Sequence, residues 1–217
     1  MIIVLLVASS LLVVGWFTND RSKKALLAQV EVQLKAYSNQ KAAEYGELFT
    51  GINNQLAGMT AHAQYILARE DIKTDINRRV MLPWNDATQT YGKEGDAEKY
   101  KGEVLKLQRL CNLFKFVTEN NPMLIAAYMG TPEGLMANET EESFDVLTSL
   151  VAYHPEKRGW YLKTEKEKKL IWTETYVDAT TKELIISAGS PVYAKDDKNK
   201  LLGVIGIDML LDRSEER

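Results

Sequence analysis

Seven residues in the second half of the chain have types and spacings that could do chemistry. They are Tyr153, Arg158, Trp160 and Tyr161 in YHPEKRGWY, Tyr176 and Asp178 in TYVD, and Asp208 in LLGVIGIDM. A buried carboxylate is costly unless a cation or several donors meet it, and a buried guanidinium has the converse problem. One solution pairs Arg158 with Asp178 or Asp208 as an internal salt bridge. Another places a ligand between them, its carboxylate on Arg158 and its ammonium on the aspartate side. A ligand with both groups is a zwitterion, as an α-amino acid is. A third use of two aspartates is an acid/base pair of the glycoside-cleaving kind. A fourth is no ligand at all, in a structural ectodomain with a salt-bridged core.

Composition narrows these choices. The net charge is −3, without the basic stripe of a nucleic-acid binder. Two histidines, His62 and His154, and one cysteine, Cys111, make a poor set of metal ligands, so neither a metal nor another cofactor is expected. A single cysteine forms no intrachain disulfide. No nucleophile elbow, HExxH or phosphate loop is present, which weighs against an enzyme.

The elements that must position these residues follow from periodicity. Residues 1–17, MIIVLLVASSLLVVGWF, carry no charge. As a helix they rise roughly 26 Å, just short of a ~30 Å bilayer core, with Trp16 and Phe17 suited to the interface. This transmembrane helix lacks a cationic start and is expected to be trimmed there. Arg21, Lys23 and Lys24 follow it and would favour a cytoplasmic continuation. Residues 20–69 read as one long helix, the bulk of a stalk spanning 18–69. Its apolar positions Leu34, Tyr45, Leu48, Ile52, Leu56, Met59, Ala63 and Ile66 fall mostly three or four apart. Such a stripe packs on a partner copy or on the chain's own domain, and beside a membrane anchor a homodimer through the stalk is expected.

Ile72, Ile76 and Val80 suggest a short helix ended by Pro83, and TYGKEGD, residues 90–96, a loop. Val104, Leu107, Leu110, Cys111, Phe114 and Val117 give an amphipathic helix closed before Pro122, with Cys111 in its core stripe. Asn138-Glu139-Thr140 matches a glycosylation acceptor too short to carry weight. From residue 123 the period becomes two. MLIAAYMG, the turn TPEG and LMAN form a hairpin. KLIWTETYVD, ELIISAGSPVYA and LLGVIGIDMLL are three further strands joined by ATTK and KDDKNK. Strand parity then aligns Trp172, Glu174, Tyr176 and Asp178, with Trp172 and Glu174 as pocket-edge candidates. On the last strand it aligns Val204, Gly206 and Asp208, Gly206 leaving room on the sheet face. The fold class is α+β: an antiparallel sheet flanked by helices, of PAS-like kind.

YHPEKRGWY, TYVDATTKELIISAGSPVY and LLGVIGIDM resemble the membrane-distal half of a double Cache sensor domain. The resemblance rests on Tyr153, then Arg158-x-Trp160-Tyr161, then Tyr176-x-Asp178, then Asp208 in a GxxGxD strand. It implies that residues 70–217 form the distal PAS-like module of a chemoreceptor or sensor kinase that binds a free amino acid outside the cytoplasmic membrane. It implies that Arg158, Trp160 and Tyr153 take the ligand carboxylate, that Tyr176, Asp178 and Asp208 take the ammonium, and that Tyr161 forms pocket wall. It also implies a membrane-proximal module and an output domain beyond residue 217. It places residues 20–217 outside the membrane despite the basic residues after the span.

Overall fold

The computed structural model describes the backbone of residues 2–69, 79–92 and 94–210, and the side chains of 21–69, 79–92 and 98–210. The chain divides into two compact units, Met1–Gly51 and Ile52–Arg217. The first is helical throughout its described part, within α1 (Ile2–Leu67). Residues 1–17, the expected membrane span, lie outside those whose side chains are described. Among the described residues no helix is long and apolar enough to cross a membrane.

The second unit is an α+β, PAS-like domain built on an antiparallel sheet. Its elements are β1 (Val80–Met81), β2 (Trp84–Asn85), β3 (Thr90–Tyr91), α2 (Glu94–Glu119), β4 (Leu124–Gly130), β5 (Met136–Asn138) and α3 (Glu141–Ser149). After these come a 3-10 turn (Pro155–Lys157), α4 (Gly159–Glu167), β6 (Ile171–Trp172), β7 (Tyr176–Val177), β8 (Leu184–Tyr193) and β9 (Leu201–Leu210). The sheet runs β1-β5-β4-β9-β8-β6, and β7 also pairs with β8. The last turns of α1 bury Ile52, Leu56, Met59, Ala63 and Ile66, and Thr60 hydrogen-bonds Ser190 of β8 at 2.8 Å. Ser190 lies on the sheet face opposite Ser187 and Asp208, so α1 leaves the latter face to α3 and α4. The stripe of α2, Leu107, Leu110, Cys111, Phe114 and Val117, is buried beside β4 and β5.

Four expectations change. Val80 belongs to a strand rather than a helix, because it pairs with Ala137 of β5; residues 72 and 76 lie outside those described. Residues 90–96 are not one loop, for Thr90 and Tyr91 pair with β2 and α2 starts at Glu94. KLIWTETYVD is not one strand. The Thr173 hydroxyl accepts the Ser187 N–H at 3.0 Å, where the carbonyl would continue the ladder. The pairing register with β8 then shifts by one residue between Trp172 and Tyr176. The shared parity of Trp172, Glu174, Tyr176 and Asp178 is lost there. Finally, Asn138 is 1% exposed and donates to the carbonyls of Arg79 and Met136, so it is no glycosylation acceptor.

Candidate functional site

The site stands on the face of β4, β8 and β9 that carries Tyr128, Ser187 and Asp208. Register sets Ser187 opposite Asp208, Gly189 opposite Gly206, and Tyr128 opposite Gly206. Gly206 is needed because a Cβ there would lie 2.2 Å from the Tyr128 ring. The space expected at Gly206 is therefore filled, by a tyrosine that crosses β9 and donates to Asp208 Oδ1 at 2.7 Å. Gly189 does the same for α4, since a Cβ there would lie 2.2 Å from Thr164 Oγ1. This close approach seats Trp160 on the sheet, edge-on to Tyr128 with ring centres 4.9 Å apart.

The 3-10 turn before α4 presents Tyr153 and Arg158. The Tyr91 hydroxyl anchors it, donating to the Leu150 carbonyl and accepting the Tyr153 N–H at 3.1 Å. Arg158 Cζ lies 5.4 Å from the centre of the Tyr153 ring, a cation–π arrangement. Tyr153, Arg158, Trp160, Tyr176, Asp178 and Asp208 all line one cavity of about 260 Å³. Among the described residues the Arg158 guanidinium forms no ion pair, and the Trp160 indole N–H and Tyr153 hydroxyl form no hydrogen bond.

The carboxylates sit differently. Asp178 closes the ATTK turn. Its Oδ2 accepts the Thr180 N–H at 3.0 Å, the Thr181 N–H at 2.7 Å and both threonine hydroxyls. Burial alone would raise its pKa, but these bonds outweigh it and hold the carboxyl below its ordinary value. Its Oδ1 has no partner among the described residues. Asp208 is 5% exposed, and burial pushes its pKa up to about 7 against the hydrogen bonds from Ser187 and Tyr128. Both bonds fall on Oδ1. Ser187 spends its one proton on Asp208, so the Tyr176 hydroxyl, 2.7 Å from Ser187 Oγ, donates to it. The Tyr176 oxygen is left with acceptor capacity toward the cavity. Burial also raises the pKa of Tyr128, Tyr153 and Tyr176, keeping all three phenols protonated.

Three sequence candidates are not brought to the cavity. Tyr161 is outside the lining; it packs edge-on to Trp160 at 5.6 Å and is 1% exposed. Trp172 turns away, its indole N–H donating to Asn53 at 3.0 Å, and Glu174 is exposed. Sequence reasoning missed Tyr128 and Ser187. A polar-tipped residue of fitting parity in each buried strand was the available signal. It does not separate them from other strand residues until the register is known.

A family model described as the first PDC sensor domain of methyl-accepting-chemotaxis-protein-like proteins matches residues 112–215. The chain is 30% identical over 98 residues to the methyl-accepting chemotaxis protein McpC of Bacillus subtilis, covering 45% of this chain and 14% of that protein. It is 27% identical over 195 residues to the methyl-accepting chemotaxis protein PscA of Pseudomonas syringae pv. tomato, covering 88% of this chain and 27% of that protein. It thus spans about a quarter or less of the length of these relatives. A solved structure, the ligand-binding domain of Mlp24 with asparagine, is similar at 29% identity, covering 54% of this chain and 51% of the other, with a TM-score of only 0.37. Over residues 112–215, just under half of its length, the chain is thus similar to the first PDC sensor domain of chemoreceptor-like proteins.

Proposed function

We propose that the cavity binds a free α-amino acid and that the chain is the sensing part of a membrane chemoreceptor. One observation carries this reading: among the described residues no carboxylate pairs with Arg158, which lines a largely apolar cavity, while Asp178 and Asp208 each keep an unpartnered oxygen. An internal salt bridge would have consumed these groups. A ligand carboxylate would take the two-pronged guanidinium, with the Trp160 N–H and Tyr153 O–H beside it. The ligand ammonium would take Asp178 Oδ1, Asp208 Oδ2 and the Tyr176 oxygen. The aromatic walls exclude water and strengthen both ion pairs. Binding is read without turnover, since a sensor must release its ligand unchanged. In this reading residues 1–17 span the membrane, 18–69 form the stalk and 70–217 stand outside the membrane.

The test is calorimetry and thermal shift on the chain with each of the twenty amino acids. A ligand at a hundred times its dissociation constant stabilises the fold by ~2.7 kcal/mol. Well-folded protein that neither binds nor is stabilised by any of them overturns the proposal.

A further inference from the structure

The rest of the cavity is chemically lopsided. One face of α3 forms a wall of it through Glu142, Ser143, Val146 and Leu147. Met136 of β5 adds to the apolar surface, and Glu139, at the junction of β5 and α3, lines the cavity with them. Glu139 is 6% exposed. Its Oε1 accepts the Ser143 hydroxyl at 2.7 Å, the backbone N–H groups of Glu139 and Ala127 also favour its ionised form, and no cation among the described residues pairs with it. Arg79 stands in a neighbouring cleft that shares Glu139 and Glu142, but its contacts lie elsewhere. It donates to the Glu139 main-chain carbonyl at 3.4 Å and to Asn112 Oδ1 at 2.6 Å. Among the described residues the cavity lining therefore holds one cation, Arg158, against four carboxylates: Asp178, Asp208, Glu139 and Glu142.

An α-amino-acid backbone is neutral overall and does not change that balance. Its carboxylate satisfies Arg158 and its ammonium satisfies the aspartates, which leaves the glutamates unanswered. An apolar side chain would seal the Glu139 carboxylate away from water with no cation to balance its charge. An acidic side chain would meet two more carboxylates and no second cation.

We infer that the cavity selects α-amino acids with a cationic side chain, an aliphatic stem ending in an ammonium or guanidinium group, and that Glu139 is the residue that selects them. This inference rests on the amino-acid reading of the site. The stem packs on Met136, Val146 and Leu147, as such stems do on apolar surface. The head reaches the Glu139 carboxylate, with Glu142 at the exposed rim. Burial raises the Glu139 pKa, and an incoming cation supplies the partner that favours the ionised form.

The test is calorimetry on the whole 217-residue chain with pairs of equal shape and different charge. L-arginine is set against L-citrulline and L-lysine against L-norleucine, with L-glutamate as the opposite charge. The cationic member of each pair is expected to bind about tenfold tighter or more, the difference between a charge-assisted and a neutral hydrogen bond. L-glutamate is expected to be the weakest. In Glu139→Gln the cationic-to-neutral ratio falls to within about twofold. Should that variant fail to fold, the wild-type ratios decide alone. Citrulline or norleucine binding as tightly as its cationic partner, or a Glu139→Gln chain that keeps the full ratio, overturns the inference while the amino-acid reading stands. Failure of every amino acid to bind overturns both.

Discussion

Arg158 and Asp208 face one cavity under opposite constraints, and their substitutions should fail differently. Arg158 makes no ion pair among the described residues, only the cation–π contact with Tyr153, so Arg158→Ala removes no charge partner from the fold. Its melting temperature should stay near wild type, while amino-acid affinity falls by ~2–5 kcal/mol, about thirty-fold or more. A melting temperature far below wild type would return Arg158 to a structural role. Asp208 is the reverse. Burial raises its pKa from the ordinary 3.8 to about 7, so its contribution to stability is full below pH 3.8 and lost as pH rises through about 7. The ligand-free protein should therefore lose stability from this group across that window, on the order of 4 kcal/mol for a buried carboxyl. Asp208→Asn still accepts from Tyr128 and Ser187 and should flatten the loss, melting higher than wild type at pH 8. It should bind amino acids weakly, because the ammonium loses a charged partner. In wild type the ammonium favours ionised Asp208, so affinity should rise with pH through about 7. Melting curves and calorimetry at pH 5 and pH 8 read both effects, and an affinity that falls across this range would refute the ammonium assignment. At this scale the charged residues were legible, because a buried charge demands a partner. Tyr128 and Ser187 were not, since their role depends on which strands lie side by side.

The β8–β9 hairpin and the β4–β9 pairing create the site, and glycine makes their packing possible. Gly206→Ala would press a methyl into the Tyr128 ring, where the ideal Cβ lies 2.2 Å from the nearest ring atom. The ring must move, and with it the hydroxyl that steadies Asp208. We expect a destabilisation of ~1–3 kcal/mol together with loss of amino-acid affinity. Added Tyr128→Phe should recover little, because the closest clashes, at 2.2 and 2.7 Å, are with ring carbons and only the third, at 2.9 Å, is with the hydroxyl. Ordinary stability and binding in Gly206→Ala would show that the ring position is not needed. The long strands and the main amphipathic helix were legible from period alone. The break in KLIWTETYVD was not, because a threonine hydroxyl substituting for a carbonyl leaves no trace in hydrophobic alternation. The same break explains why Asp178 reaches the cavity while Glu174 does not: the shift changes the parity, and the ATTK turn fixes Asp178.

If the Ile52–Arg217 unit senses a ligand as proposed, the binding event must reach the helix that precedes it. In the Met1–Gly51 unit the exposed apolar residues Leu27, Val30, Leu34 and Tyr37 follow a three-four spacing over two heptads. Each of the four is 41–68% exposed. That spacing makes a narrow seam, the pattern by which two parallel helices pack. An isolated pair of such short seams binds weakly, but in the proposed reading, with residues 1–17 in the membrane, a shared anchor raises their effective concentration. We therefore expect a parallel homodimer in the membrane. Cysteines replacing Leu34 or Leu27 should cross-link between copies under mild oxidation. A cysteine replacing Asn39, on the opposite side of the heptad, should cross-link far less. The buried native Cys111 is first replaced by serine to leave one reactive thiol. If the seam also carries the signal, a bound amino acid should change the Leu34 cross-linking rate and leave the Asn39 rate unchanged. Equal cross-linking from both sides would mean random collision within the membrane. In that case the exposed leucines would need another explanation.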